Sequence, residues 1–243
     1  SVTTLVSKNV SGTGTANDYS YTSEPTRTLI SSNGQGIVYS SYATDLAALT
    51  DGNFSEDVFY FNLAAGTNRL VSVNVAGTAA GNNWALDPVI SANGQVVAFE
   101  SAATDLVALS DLNGGGDVFA QDLATGLNEL VSVNSSGTAA ASGLSSSPYL
   151  SQDGRYVAFQ SSGPDLAAND ANTRIDVYRR DRLSGVTALV SVNTNGAAAG
   201  NNTGGGCEQQ EATAPGKWEQ LLAPDPSVCS RLFKAELPTA RPV

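Results

Sequence analysis

One short segment occurs four times along the chain: Leu5-Val6-Ser7-Lys8-Asn9, Leu70-Val71-Ser72-Val73-Asn74, Leu130-Val131-Ser132-Val133-Asn134 and Leu189-Val190-Ser191-Val192-Asn193, at spacings of 65, 60 and 59 residues. A period of this length constrains the fold strongly, because each copy has to be one supersecondary unit that buries its apolar face against the next. Between the copies the same order of features recurs three times. An apolar run ends in a turn at Ser31-Ser32-Asn33-Gly34, Ser91-Ala92-Asn93-Gly94 or Ser151-Gln152-Asp153-Gly154. Asn-Gly and Asp-Gly predict tight hairpins with both turn residues at positive φ. A second strand follows at Ile37, Val96 or Tyr156, then a loop with Asp45, Asp105 or Asp165, then a third strand opening at Asp57, Asp117 or Asp176. A glycine turn (Gly66, Gly126, Gly185) leads to the Leu-Val-Ser segment, read here as the fourth strand.

Four short strands joined by tight turns make a small antiparallel sheet that cannot cover both of its faces. Stacking like sheets around an axis does cover them, which is the β-propeller solution. A flat sandwich does not repeat its turns every sixty residues. The expected fold is therefore all-β, with about three four-stranded blades (about 28–75, 88–135 and 148–194) in a repeat region 1–203, preceded by a lone N-terminal strand near Val2 to Ser7. The pattern from Ser151 to Phe159 resembles the TolB-like β-propeller repeat, as does Asp170 to Tyr178. That resemblance implies rings of six or seven blades in exported bacterial proteins, with roles from protein docking to domains appended to hydrolases; family fixes fold better than function. Three copies fall short of such a ring. The non-repeat tail 204–243 could close a smaller ring, a neighbouring copy could complete it as a homo-oligomer or filament, or the chain could be part of a longer protein.

The sharpest chemical signal is Asp-x-Asn-x-x-x-Asp, found at Asp51, Asn53 and Asp57, at Asp111, Asn113 and Asp117, and at Asp170, Asn172 and Asp176. Alternate oxygen side chains in such a loop can converge on calcium, which accepts six to eight oxygens in irregular geometry. Asp45, Asp105 and Asp165 are further candidates. The competing reading is that Asp and Asn simply cap turns by bonding backbone amides. The later bidentate Glu of an EF-hand loop is missing.

Composition narrows the function. A net charge of −11 repels nucleic acid and anionic lipid and attracts cations. No apolar run approaches the roughly 18 residues of a membrane helix, so membrane insertion is not expected. Without histidine there is no Ser-His-Asp triad, and zinc, copper and iron are poorly served. Cys207 and Cys229 form an even pair that points to a disulfide and to an oxidising, extracellular or periplasmic compartment. Arg174, Arg179, Arg180 and Arg182 make the one basic cluster, either a docking patch or a solvated strand face. Trp84 stands outside the repeat pattern. The expectation is a non-enzymatic, secreted structural or interaction protein with calcium-stabilised blades that self-associates through open blade edges. The alternatives are a carbohydrate- or protein-binding module and a propeller piece of a larger hydrolase.

Overall fold

The computed structural model describes residues 3–22, 27–111, 113–193 and 196–200. Cys207, Cys229 and the tail 204–243 lie outside the described residues. Among the described residues twelve strands form three separate four-stranded antiparallel sheets, each a simple meander. The first holds β1 (Ser20–Tyr21), β2 (Gly36–Ser41), β3 (Asp57–Asn62) and β4 (Thr67–Leu70). The second holds β5 (Ala85–Ile90), β6 (Val96–Ser101), β7 (Asp117–Asp122) and β8 (Asn128–Leu130). The third holds β9 (Ser145–Leu150), β10 (Tyr156–Ser161), β11 (Asp176–Asp181) and β12 (Val186–Leu189). These are three blades of the propeller type. No helix among the described residues is long and apolar enough to cross a membrane.

Alternation along the strands decides the stacking. Val97, Phe99 and Phe119 point from the second sheet into a layer with Val38, Val58 and Val71 of the first. Val96, Ala98, Val118 and Ala120 point the other way, into a layer with Val157, Phe159 and Tyr178 of the third. The outer face of the first sheet (Tyr39, Phe59, Phe61) is capped by Val6 and Ala16 of the N-terminal segment. Paired rings at equivalent positions stack in every sheet, as with Phe99 and Phe119 at 5.9 Å between centroids.

Three details differ from the sequence reading. The hairpin turns carry positive φ at glycine alone, with φ of 69° at Gly34, 72° at Gly94 and 74° at Gly154. Asn33, Asn93 and Asp153 keep ordinary φ, and their side-chain oxygens accept the hydroxyl of the serine two residues earlier. The glycine N–H, donating to the serine carbonyl, closes each turn and the side-chain bond reinforces it, without a second left-handed residue. The fourth strand lies ahead of the Leu-Val-Ser motif and ends at its leucine (Leu70, Leu130, Leu189). The motif's serine turns inward to hydrogen-bond the third strand, which stops the ladder. Residues 3–7 form no strand, although Thr3 to Leu5 match Asn68 to Leu70 of β4; from Val6 on the segment follows the chain after a fourth strand, and its Lys8–Thr15 bridge repeats Val73–Ala80, Val133–Ala140 and Val192–Ala199.

The inner strands β5 and β9 each carry an irregularity that sequence reading missed. Their register shifts between Leu86 and Val89, and opposite the step from Ala158 to Gln160. Asp87 (φ 57°) and Ser147 (φ 55°), each followed by proline, take the left-handed conformation there. Proline within a sheet belongs at such a bulge, where no ladder hydrogen bond is lost.

Candidate functional site

The three acidic loops fold alike, and most of their oxygens are already committed. In each, the motif serine donates to the last Asp: Ser72 to Asp57 at 2.5 Å, Ser132 to Asp117 at 2.7 Å, Ser191 to Asp176 at 2.5 Å. The same hydroxyl accepts the backbone N–H of Val58, Val118 or Val177 at 3.0 Å. The second Asp oxygen accepts the amide of Asn53, Asn113 or Asn172 at 3.0–3.1 Å. Asn53 and Asn113 also reach the carbonyls of Gly81 and Ala141, so each ties its loop to the segment leading into the next sheet. Asp45, Asp105 and Asp165 accept the backbone N–H of Asn17, Asn82 and Ser142, fastening the incoming connector to each sheet.

The first Asp of the motif sets the loops apart. Asp111 and Asp170 accept the N–H of Asn113 and Asn172. Asp170 also takes the Tyr178 hydroxyl. Asp51 has both carboxylate oxygens buried, and its one donor among the described residues is the backbone N–H of Asn53, more weakly placed than at the other two loops. Burial pushes its pKa up, and burial pushes Asp57 up to about 8 and Asp117 up to about 7, against the hydrogen bonds from Ser72 and Ser132. Among the described residues no group of three or more Asp, Glu, Cys or His is arranged to hold a metal ion. The first loop, with its sparsely bonded Asp51 and an Asp57 held protonated by burial, is the least satisfied of the three.

These shifts fix the sign of a pH dependence. Asp57 binds its proton in the folded state up to about pH 8 but at only 3.8 when unfolded, and Asp117 and Glu100 behave alike, each raised to about 7 by burial. Their contribution is fully present below about pH 4 and is lost as pH rises through 7 to 8. Asp153 and Asp181 are held below the ordinary range by hydrogen bonds from Ser151 and Arg155, so they act below that window. In metal-free buffer the melting temperature is expected to fall between pH 5 and pH 8.5, a trend that differential scanning calorimetry reads directly. A flat or rising profile would refute the protonated carboxyls.

A second polar cluster was not legible as a motif. Arg27 donates to Asp87 Oδ2 at 3.0 Å, to the Asp87 carbonyl at 3.2 Å and to the Pro148 carbonyl at 3.3 Å, and lies over the Tyr149 ring. It thereby joins the first sheet's entry segment to the bulges of β5 and β9. Glu56 and Glu100 lie within the field of Asp87, and burial raises both. Glu56 sits beside Tyr21 and Ser40, whose hydroxyls act against the burial that raises it, and the Arg27 Nε is buried without a partner among the described residues. The available signal was positional: Glu56 stands where the other repeats have Gly116 and Ile175, and Glu100 where they have Ser40 and Gln160.

The basic cluster is split by strand alternation. Arg179 lies over Tyr156 on the outer face of the third sheet, Arg180 points towards the second sheet, and Arg182 pairs with Glu129. Trp84 is half-buried at a repeated position, matched by Tyr19 and Leu144.

No family model matches the chain, and no curated protein does. Among solved structures it is similar to a protein assigned as TolB from Agrobacterium tumefaciens, at 14% identity over 76% of this chain and 50% of that one, TM-score 0.42. It is also similar to an oligogalacturonate lyase from Vibrio parahaemolyticus (8% identity, 72% and 41% covered, TM-score 0.43). A third is the β-propeller domain of the Trilobed protease from Pyrococcus furiosus (16% identity, 70% and 41% covered, TM-score 0.41). The chain spans half or less of the length of each. The three stacked blades rest on the sheets and junctions described above, and no activity or partner is carried over from these proteins.

Proposed function

We propose that the chain is a non-enzymatic, exported structural or interaction module that assembles head to tail through its two end sheets. One comparison within the molecule carries this reading. Ile90, on the inner strand of the second sheet, is 1% exposed, while its counterpart Ile30 in the first is 52% exposed. At the other end, Val58 and Val118 are fully buried beneath the next sheet, while Val177 and its neighbours Ala158 and Val190 are half-buried. At the leading end the N-terminal segment covers Tyr39, Phe59 and Phe61 but leaves Ile30 bare, and at the trailing end Val177, Ala158 and Val190 are only half-covered by described residues, so a second copy offers each end surface it lacks. Continuity of the repeat makes a heterologous contact, which propagates as a ring or a filament. Arg179, over Tyr156, places a positive group on the trailing face of an acidic chain, which favours docking of an acidic copy.

Calcium belongs to the same proposal, narrowed to the first acidic loop. There a cation would take the Asp51 oxygens and relieve Asp57. Calcium should then raise the melting temperature more at pH 8 than at pH 5, since it needs the ionised carboxylates; insensitivity to chelator at pH 8 removes it from the account. For assembly, sedimentation velocity is expected to show species above 24.8 kDa that grow with concentration. Val177→Asp and Ile30→Asp are each expected to return the 24.8 kDa species. A wild-type chain that stays monomeric at every concentration defeats the proposal.

A further inference from the structure

A cleft of about 530 Å³ opens at the junction of the second and third sheets, between the segment after β8, the loop near Leu166, and β12. Arg180 of β11 reaches into it. The chain carries its own control for this place, because the equivalent position occurs at two other junctions. In the second sheet it is Gln121, 0% exposed, which donates to the Val71 carbonyl at 2.7 Å and to Asn128 at 3.2 Å and accepts from Arg69. Asn128 in turn donates to the Val73 carbonyl at 2.7 Å. In the first sheet it is Phe61, 0% exposed under Lys8, with Asn68 bonded to the carbonyls of Val6 and Lys8. Both junctions are filled. In the third sheet Thr187 replaces the asparagine and is too short to bridge. Arg180 there makes one hydrogen bond among the described residues, to the Thr187 hydroxyl at 3.1 Å.

The charge around it is unusual for this molecule. The described cleft lining contains no Asp or Glu, in a chain with 23 of them. Glu129 and Asp181 are close enough to act on Arg180, but Glu129 is paired with Arg182 and Asp181 with Arg155. The guanidinium is therefore the uncommitted charge, with a free edge that matches a carboxylate in bidentate geometry. Ser135 and Asn169 supply polar groups on the rim, and Leu166 and Val186 an apolar wall.

We propose that this cleft binds a small, hydroxylated organic carboxylate, with Arg180 holding the carboxylate and the rim holding the hydroxyls. The test is isothermal titration calorimetry of the whole chain with sodium glucuronate, with glucose and inorganic phosphate as separate titrants. Glucuronate is expected to bind saturably, glucose not to bind, and phosphate to bind at least about tenfold more weakly. Arg180→Lys keeps the charge but loses the fork, and should weaken glucuronate about tenfold. The double variant Arg180→Gln with Thr187→Asn copies the filled junction of the second sheet; it should melt no lower than the wild type and lose binding altogether. Absence of glucuronate binding overturns the proposal. So does equal binding of glucose or phosphate, or a double variant that melts normally and still binds.

Discussion

Replacing Phe119 with alanine lowers the free energy of unfolding by about 3–5 kcal/mol, the usual cost of emptying a buried aromatic site. The ring is 3% exposed, lies opposite Phe99 and Leu130 on neighbouring strands, and fills the layer shared with Val38, Val58 and Val71 of the first sheet. Its loss uncouples two sheets as well as leaving a void, because the facing side chains belong to a different repeat. Leu127→Ala, at a turn residue 70% exposed, should stay within about 0.5 kcal/mol. Urea unfolding of the two variants reads the difference. Similar small effects would mean that the faces are not pressed together.

Arg27→Ala is expected to cost about 2–4 kcal/mol, somewhat below the range for breaking a fully buried pair because Asp87 keeps some water. The arginine side chain is 5% exposed and that of Asp87 24%. Removal strands the Asp87 carboxylate near Glu56 and Glu100, both already raised by burial, and takes the donor from two carbonyls on different sheets. Arg27→Lys should recover part of the loss, since an ammonium restores charge without the fork that spans both bulges. Adding Asp87→Ala to Arg27→Ala should cost less than the sum of the single changes, because the stranded charge is gone. Thermal or denaturant melts of the four proteins complete the cycle; strict additivity would place the interaction elsewhere.

Much of the blade was legible because it is written three times. Apolar alternation located β2, β6 and β10, and the glycine turns located the hairpins. What periodicity could not show is how side chains compete with the backbone. Ser72, Ser132 and Ser191 look like strand residues in an apolar run, yet each ends its strand by turning a hydroxyl onto a buried Asp. The Asp-x-Asn-x-x-x-Asp loops read equally as metal ligands or as turn caps, and the structure shows most of their oxygens taken by local donors, with Asp51 the most sparsely bonded. The Arg27 cluster was hidden because it is made by exceptions to the repeat, residues 60 to 121 positions apart brought together only by stacking. The Arg180 cleft was hidden for the same reason: it arises where Gln121 and Asn128 have given way to Arg180 and Thr187.

Stacking makes the second sheet the one with another described sheet on each face, and native-state hydrogen exchange tests that most directly. Amides of β6 and β7 are expected to outlast those of β2 and β3 and of β10 and β11, with exchange limited by global unfolding. If β6 and β7 exchange as fast as the end sheets, each repeat stands alone and the stacked architecture is wrong.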